Sequence, residues 1–321
     1  GRGLLDFGQN LVAEEADDED HDCRDGRPDE FQLMVAPDRG GIGLIAGSGL
    51  SVSELVEEIR LARATSSGVI GVNIMVAVRI FKDLVQAAIA EGVDLVVAGA
   101  GFSRDVFGWC RDAGVEFVPI VGSARVARLA EKFGASAVIV EGCDAGGHLG
   151  TDRHLFDLLP EILEAVDIPV IAAGGLATGA DIKRALDAGA AGVQMGSIFA
   201  ATVESSAPDA FKQMYVDATD EDIIITKSPV GLPGRAITSP LTNRIAAGDY
   251  PAIARCRACL KECGKEYCII DALETAQRGD VEHGLIFAGT SAAQVHDIPT
   301  VAELVERLCA QWRAAEEGAA S

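Results

Sequence analysis

One histidine in this sequence lies within a run of glycines, and its surroundings suggest chemistry. His148 follows Gly146 and Gly147 and precedes Gly150. Glycine has no Cβ, so the backbone of such a loop can approach a planar or anionic ligand closely. A histidine can exchange a proton near neutral pH, which makes His148 the candidate acid or base. A glycine-rich turn with a solvated histidine would have the same local sequence, so the rest of the chain must decide. The other histidines considered lack this setting and are expected to be solvated or to cap helices: His154, His283 and His296.

Glycines recur where two later apolar runs end. Gly174 and Gly175 follow the first of these runs, and Gly196 with Ser197 follows the second. At such strand ends, unpaired backbone N–H groups and a nearby helix dipole attract anions, and glycine leaves room for them. A tight turn would explain either pair alone. Together, at this spacing, the two pairs predict a phosphate-bearing cofactor.

Asn73 ends another apolar run and is a third candidate. Its amide can both donate and accept hydrogen bonds, which suits the polar edge of a planar ring. An asparagine that only satisfies its own loop is the alternative.

Four cysteines near the C-terminus form the last constellation, with the spacing Cys256-x2-Cys259-x3-Cys263-x4-Cys268. Four thiolates at close spacing can bind zinc or an iron–sulfur cluster. Cysteine also serves as a small buried hydrophobic residue, so a packing role stays open. Three others are expected to be structural: Cys110, Cys143 and Cys309.

The elements that must position these residues form a βα repeat. The apolar runs are 20 to 30 residues apart, and they are continuously apolar, as parallel strands covered on both faces should be. Glycine and polar residues gather where the runs end, and in a barrel these ends meet at one face. An open sheet would spread them along an edge, so their number favours the barrel. The predicted strands are Gly41–Ala46, Gly71–Val76, Leu95–Ala100, Phe117–Val121, Ala137–Val140, Val170–Ala173 and Gly192–Met195. The predicted helices include Val52–Ala64, Phe81–Glu91, Ala124–Phe133, His154–Val166 and Ala180–Ala188.

Composition excludes several classes of function. The chain of 321 residues has 49 acidic and 27 basic side chains, and its net charge of -22 opposes binding to nucleic acid or anionic lipid. The sequence has no long apolar run and no pattern typical of an export signal, so we expect a cytoplasmic protein with reduced thiols and no membrane partner. A small-molecule substrate is the expected partner, in a possible homodimer.

Three sections are predicted along the chain. Residues 1–39 are strongly acidic, with eleven Asp or Glu and three Arg among the first thirty, and are expected to form a disordered arm. Residues 40–204 are the predicted barrel. Residues 205–321 are a predicted loop and helical section with an amphipathic helix at Val301–Gln311. This section contributes two candidate cations for anion or carrier contacts, Lys227 and Arg235.

From about Gly40 to Leu241 the chain resembles the nitronate monooxygenase (2-nitropropane dioxygenase) family, which includes the FMN-dependent enoyl-acyl-carrier-protein reductases. The resemblance rests on Gly71-Val72-Asn73-Ile74-Met75, Gly99-Ala100-Gly101, Ala145 to Gly150, Ala172 to Gly175 and Gln194 to Ser197. It implies a TIM (β/α)8-type barrel binding FMN at its C-terminal face, with a smaller, mainly helical C-terminal cap. The family's opening segment, similar to Pro-Ile-Ile-Gln-Gly-Gly-Met, has no counterpart in residues 1–39, so the first unit is expected to be degenerate or missing. Asp144 stands where many relatives have Glu, which is a mild departure.

The resemblance also implies roles for individual residues. His148 takes the family's catalytic position, phosphate lies near the glycines and Ser197, and Asn73 and Gln194 contact the ring. The implied cofactor-binding set is Asn73, Gly146, Gly147, Ala173, Gly174, Gly175, Gln194, Gly196 and Ser197. The predicted function is oxidation of alkyl nitronates with molecular oxygen. An NAD(P)H- and FMN-dependent enoyl-thioester reductase and a non-catalytic binding barrel are the alternatives.

Overall fold

The largest element of the fold is a curved sheet of parallel strands, each followed by a helix. The structure, a computed structural model, describes residues 41–319. The strands in chain order are β1 (Ile42–Ala46), β2 (Val69–Asn73), β3 (Leu95–Ala98), β4 (Glu116–Val121), β5 (Val138–Glu141), β6 (Gly147–His148), β7 (Val170–Ala173), β8 (Gly192–Gln194), β9 (Ile223–Thr226) and β10 (Gly234–Ile237). The helices are α1 (Val52–Thr65), α2 (Phe81–Ala90), α3 (Asp105–Ala113), α4 (Ala124–Phe133), α5 (Leu155–Leu163), α6 (Gly179–Asp187), α7 (Ser197–Ala200), α8 (Asp209–Asp217), α9 (Pro240–Ala246), α10 (Ile269–Gln277) and α11 (Val301–Ala319).

The parallel sheet has the order β1-β2-β3-β4-β5-β7-β8, so neighbours in the chain are neighbours in the sheet. All six strand pairs are parallel, as short βα units require. The seven predicted strands are therefore confirmed, and so is the TIM-barrel type of fold. Within the described part of the chain, β1 and β8 are the two edges of this sheet. The expected acidic arm and the degenerate first unit lie in residues 1–39, outside the described residues.

Burial explains why the apolar runs form strands. All four residues of β3 are buried, and so are Val138, Ile139 and Val140 of β5. Helices cover one face of the sheet, and side chains of the barrel interior cover the other. Because neither face of these strands meets solvent, their sequences do not alternate between apolar and polar residues.

Short polar signals set the limits of the helices. Ser51 forms a capping box with Glu54 at the start of α1, and Thr178 forms one with Asp181 at the start of α6. Gly134 ends α4 with φ of 92°, a left-handed conformation that glycine adopts without strain. These caps agree with the predicted positions of the helices to within a few residues.

The C-terminal section packs onto the barrel through α11 and through two short strands. Gln311 of α11 accepts a hydrogen bond from the backbone N–H of Gly179 at 2.9 Å. A Cβ on Gly179 would lie 2.2 Å from the backbone nitrogen of Trp312, so glycine is required for this contact. The strands β9 and β10 join β6 in a three-stranded antiparallel sheet of order β6-β10-β9. Among residues 41–319, no helix has both the length and the apolar character needed to cross a membrane.

Candidate active site

The loop that carries His148 is held by the small antiparallel sheet. In this sheet His148 lies opposite Gly234, and Gly147 lies opposite Arg235. The backbone N–H of Leu149 also donates to the carbonyl of Pro233 at 2.9 Å. A segment from the C-terminal section thus fixes the glycine-rich loop at the end of β5.

The imidazole of His148 is half-buried between a hydroxyl and an aromatic ring. Its Nε2 lies 2.7 Å from Oγ of Ser228, and its ring meets that of Phe287 edge-on, with centroids 5.0 Å apart. Burial disfavours the charged form and lowers the pKa of His148 to about 4. At neutral pH the ring is therefore uncharged and can either accept or donate a hydrogen bond.

Asp144 stabilises the first half of the same loop. Its carboxylate lies 2.8 Å from Nδ1 of His154 and accepts a 3.3 Å hydrogen bond from the backbone N–H of Leu155. His154 immediately precedes α5, and its side chain is 68% exposed. The chain passes so close to α5 here that a Cβ on Gly142 would lie 2.3 Å from the nitrogen of Leu155.

A cavity of about 280 Å³ opens beside the loop at the ends of β5, β7 and β8. Residues of the His148 loop and of the C-terminal section complete its wall. Eight of the nine residues in the predicted cofactor-binding set line it: Gly146, Gly147, Ala173, Gly174, Gly175, Gln194, Gly196 and Ser197. The sequence therefore pointed to eight residues that the fold brings together at one cavity.

The glycines of the cavity differ in whether a side chain could replace them. Gly174 and Gly175 have φ of 102° and 74°, so side chains there would be strained. A Cβ on Gly175 would also lie 2.8 Å from Cβ of Asp144. Gly196 is different, because a Cβ there would meet no heavy atom within 4 Å. Its missing side chain leaves free space in the cavity wall.

One polar atom of the cavity wall lacks a partner. The side-chain oxygen Oε1 of Gln194 is buried and accepts no hydrogen bond. Leaving a buried acceptor unpaired costs about 1–3 kcal/mol. The atom is therefore positioned to accept a hydrogen bond from a bound molecule.

Four further residues at the site were not singled out from the sequence. Glu141 ends β5 and lines the cavity, where burial raises the pKa of its carboxyl to about 7. Tyr215 lies at the far wall and donates its hydroxyl to the carbonyl of Phe287 at 2.6 Å. Ser228 and Phe287 contact His148. Only Glu141 could have been recognised from the sequence, because it is an acidic residue at the end of a buried strand. The other three lie in the section after the βα repeat.

Besides His148, which lies beside the cavity, the predicted residues Asn73, Lys227 and Arg235 do not line its wall. Asn73 is at the end of β2, opposite Ala46 and Val97 in the sheet, and does not line the cavity. Arg235 donates from Nε to the carbonyl of Cys143 at 2.9 Å and so braces the loop. Lys227 is exposed, and its carbonyl accepts from the hydroxyl of Tyr267 at 2.8 Å.

Comparison with known proteins gives consistent matches. The sequence profile described as nitronate monooxygenase matches residues 33–311. A Mycobacterium tuberculosis protein named (3aS,4S,5R,7aS)-5-hydroxy-7a-methyl-1-oxo-octahydro-1H-indene-4-carboxyl-CoA dehydrogenase is 30% identical, covering 86% of this chain and 87% of the relative. A probable nitronate monooxygenase of Staphylococcus aureus (strain Newman) is 26% identical, covering 66% and 73%. The solved structure of FabK from Thermotoga maritima superposes with a TM-score of 0.82 at 30% identity, covering 91% of both chains.

Proposed function

Because this chain belongs to the nitronate monooxygenase family and is an oxidoreductase, we propose that it uses FMN, bound in the cavity beside His148. Its motifs had indicated that family, and the family match confirms the resemblance. The observation that carries the proposal is the unpaired Oε1 of Gln194 in a cavity walled by glycine. A flavin ring has an N–H group that such an acceptor can bind.

The other residues of the cavity fit the same cofactor. Gly196 leaves room for a phosphate to approach closely, and Gly174 and Gly175 line the same cavity. The hydroxyl of Ser197 accepts a 2.8 Å hydrogen bond from the N–H of Gly289, so its own proton remains available to a phosphate oxygen. When bound, FMN supplies the transfer of electrons or hydride, and the protein supplies binding and orientation.

His148 is the residue that acts on the substrate in this proposal. With a pKa of about 4, its imidazole is neutral over the ordinary working range and can take up a proton or hydrogen-bond a substrate oxygen. Ser228 and Phe287 hold the ring from two sides. The hydroxyl of Ser228 can donate to Nε2 or accept from it, so it fixes the ring in either tautomer.

The proposed reaction is oxidation of an alkyl nitronate, with molecular oxygen as the final electron acceptor. The family match and the Staphylococcus aureus relative support this substrate class. A neutral hydrogen-bonding imidazole suits the nitro oxygens and avoids trapping the anion as a tight ion pair.

Reduction of an enoyl thioester is the second candidate. The specific observation in its favour is the Mycobacterium tuberculosis relative, whose name specifies a carboxyl-CoA substrate and which matches over most of both chains. In this case NAD(P)H would be the co-substrate, and the imidazole would bind the thioester carbonyl.

Anaerobic reduction of the purified full chain separates the two candidates. We expect a yellow protein with near-stoichiometric FMN, bleached by a nitronate but not by NADH. Bleaching by NADH with turnover of crotonyl-thioester would establish the second candidate. A colourless protein that takes up no added FMN would contradict both and support the non-catalytic alternative.

Assembly is proposed separately. We propose a homodimer, which light scattering of the purified protein tests directly. A monomeric mass at working concentrations would contradict it without affecting the redox assignment.

A further inference from the structure

We propose that Cys256, Cys259, Cys263 and Cys268 bind a [4Fe–4S] cluster. All four thiols line one cavity of about 500 Å³, separate from the cavity beside His148. None of the four serves the oxidoreductase function proposed above, so the inference stands apart from that function.

The segment that carries the thiols has little regular structure of its own. Between Tyr250 and Ile269 its one ladder contact is an isolated bridge from Leu260 to Val78. Irregular segments of this length are uncommon in compact domains unless they have a function. Two residues between the thiols, Ala258 and Lys265, have φ of 50° and 61°, a left-handed conformation that is uncommon for residues other than glycine. A bound cluster would hold this segment in place, as packed apolar side chains hold the regular elements of the fold.

The four thiols are not arranged as the ligands of a single zinc ion. Four sulfurs around one zinc, each about 2.3 Å from it, stand roughly 3.8 Å apart. In residues 41–319, the one group of three or more metal-ligand atoms lying within 4.8 Å of one another is Cys143, Asp144 and His154, so the four thiols do not form such a set. In a [4Fe–4S] cluster each thiolate binds a different iron, so the sulfurs are farther apart and the enclosed space is larger. The cavity of about 500 Å³ fits this second arrangement.

The charges around the cavity are mostly positive, in a chain whose net charge is strongly negative. Four basic residues line it, Arg79, Arg257, Lys261 and Lys265, with Glu262 as the acidic member. Arg79 donates to the carbonyls of Ala258 and Leu260 at 2.9 and 3.2 Å, which holds its guanidinium against the cysteine segment. Four thiolates make a ligated cluster anionic, so these cations stabilise it.

The cysteine segment is anchored to the loops around the candidate active site. The carbonyl of Cys259 accepts from the backbone N–H of Arg79 at 2.8 Å, in the loop after β2. On the other side, the N–H of Gly264 donates to the carbonyl of Pro229 at 2.7 Å. Pro229 follows Ser228, which bonds His148. A cluster here would therefore fix the loop that holds the histidine.

Metal analysis of the full chain tests the proposal. The protein is purified without oxygen and then treated with ferrous iron, sulfide and a thiol reductant. We expect iron and acid-labile sulfide in equal amounts, and an electron paramagnetic resonance signal of a reduced [4Fe–4S] cluster after dithionite. Iron and sulfide contents do not depend on flavin, so failure of this proposal is distinguishable from failure of the proposed function.

Matched variants identify the ligands. Cys259→Ser and Cys263→Ser are expected to lose most of the iron and sulfide, whereas Cys309→Ser, whose thiol lies on α11 and does not line this cavity, should keep both. Circular dichroism checks that each variant is folded, and the resonance signal of the wild-type protein decides the matter if a ligand variant does not fold. Zinc in place of iron, disulfides among the four cysteines, or a reconstituted protein without sulfide would each overturn the proposal.

Discussion

The Nε2 atom of His148 lies 2.7 Å from Oγ of Ser228, although the two residues are 80 positions apart in the chain. Ser228 belongs to the loop between β9 and β10, and β10 is the strand that pairs with β6, which carries His148. The antiparallel sheet therefore brings the hydroxyl to the imidazole. Together with the edge-on ring of Phe287, this contact orients the imidazole, which is uncharged near pH 7.

His148→Ala is expected to retain bound FMN and lose turnover by roughly 10²- to 10⁴-fold, the usual contribution of a positioned acid or base. The reason is that His148 lies beside the cavity and not in its wall, so its loss removes the reacting group without removing cofactor contacts. Steady-state kinetics and the flavin content of the purified variant provide the measurement. His283→Ala, at an exposed histidine paired with Asp280 outside this loop, is the control and should stay active. Unchanged turnover in His148→Ala would show that this residue takes no part in catalysis.

Gln194→Leu is expected to weaken FMN binding by about tenfold or more, equivalent to about 1.4 kcal/mol. The same change should raise the thermal stability of the cofactor-free protein, because it removes a buried acceptor that has no partner. Fluorescence titration with FMN and differential scanning calorimetry measure the two effects. Gln213→Leu, whose side chain bonds Asp217 on the surface of α8, serves as the control. If FMN affinity were unchanged in Gln194→Leu, the amide would not contact the cofactor.

Gly196→Ala is expected to reduce FMN affinity by at least about tenfold with little change in the melting temperature. The added methyl group meets no protein atom within 4 Å, so it extends into free space of the cavity. Gly192→Ala is a close match, since its added Cβ is also unhindered and the residue does not line the cavity. Flavin content after purification should fall only in the first variant. Equal flavin content in both would place the cofactor elsewhere.

Glu141→Gln is expected to change how stability depends on pH. The pKa of Glu141 is raised to about 7 from an ordinary value of 4.5, so the folded state holds a proton that the unfolded state has lost. Its contribution to stability is fully present below about pH 4.5 and is lost as pH rises through 7. Between pH 5 and 8 the wild-type protein should lose about 1–3 kcal/mol relative to the variant. Denaturant unfolding at both pH values measures this difference.

His148 has the opposite linkage, because its pKa is lowered and its contribution is lost as pH falls from about 6.5 toward 4. The contribution of His148 cancels when wild type is compared with Glu141→Gln, since both proteins contain His148. Parallel pH dependences of the two proteins would show that Glu141 is ionised in the fold.

The repeat of strands and helices could be predicted from the sequence because its signals are local. Continuously apolar runs such as Val138–Val140 are buried on both faces, and caps such as Ser51 with Glu54 are read within one turn of helix. Glycines at the strand ends could also be recognised, since parallel strands bring their C-terminal ends to one face whatever the details of packing. This is why eight of the nine predicted cofactor residues line one cavity.

The rest of the site required the tertiary structure. Ser228, Tyr215 and Phe287 lie in the section after the repeat, where no periodic pattern indicates which side chains return to the barrel. The pairing of β6 with β10 involves only two residues of β6, too few to leave a pattern in the sequence. The sequence alone therefore determined the fold class and the glycine-lined cavity, whose signals are local and repeated. Only the packing of the C-terminal section decided what surrounds His148 and why its imidazole is neutral, since burial and contacts between distant residues are properties of the folded chain.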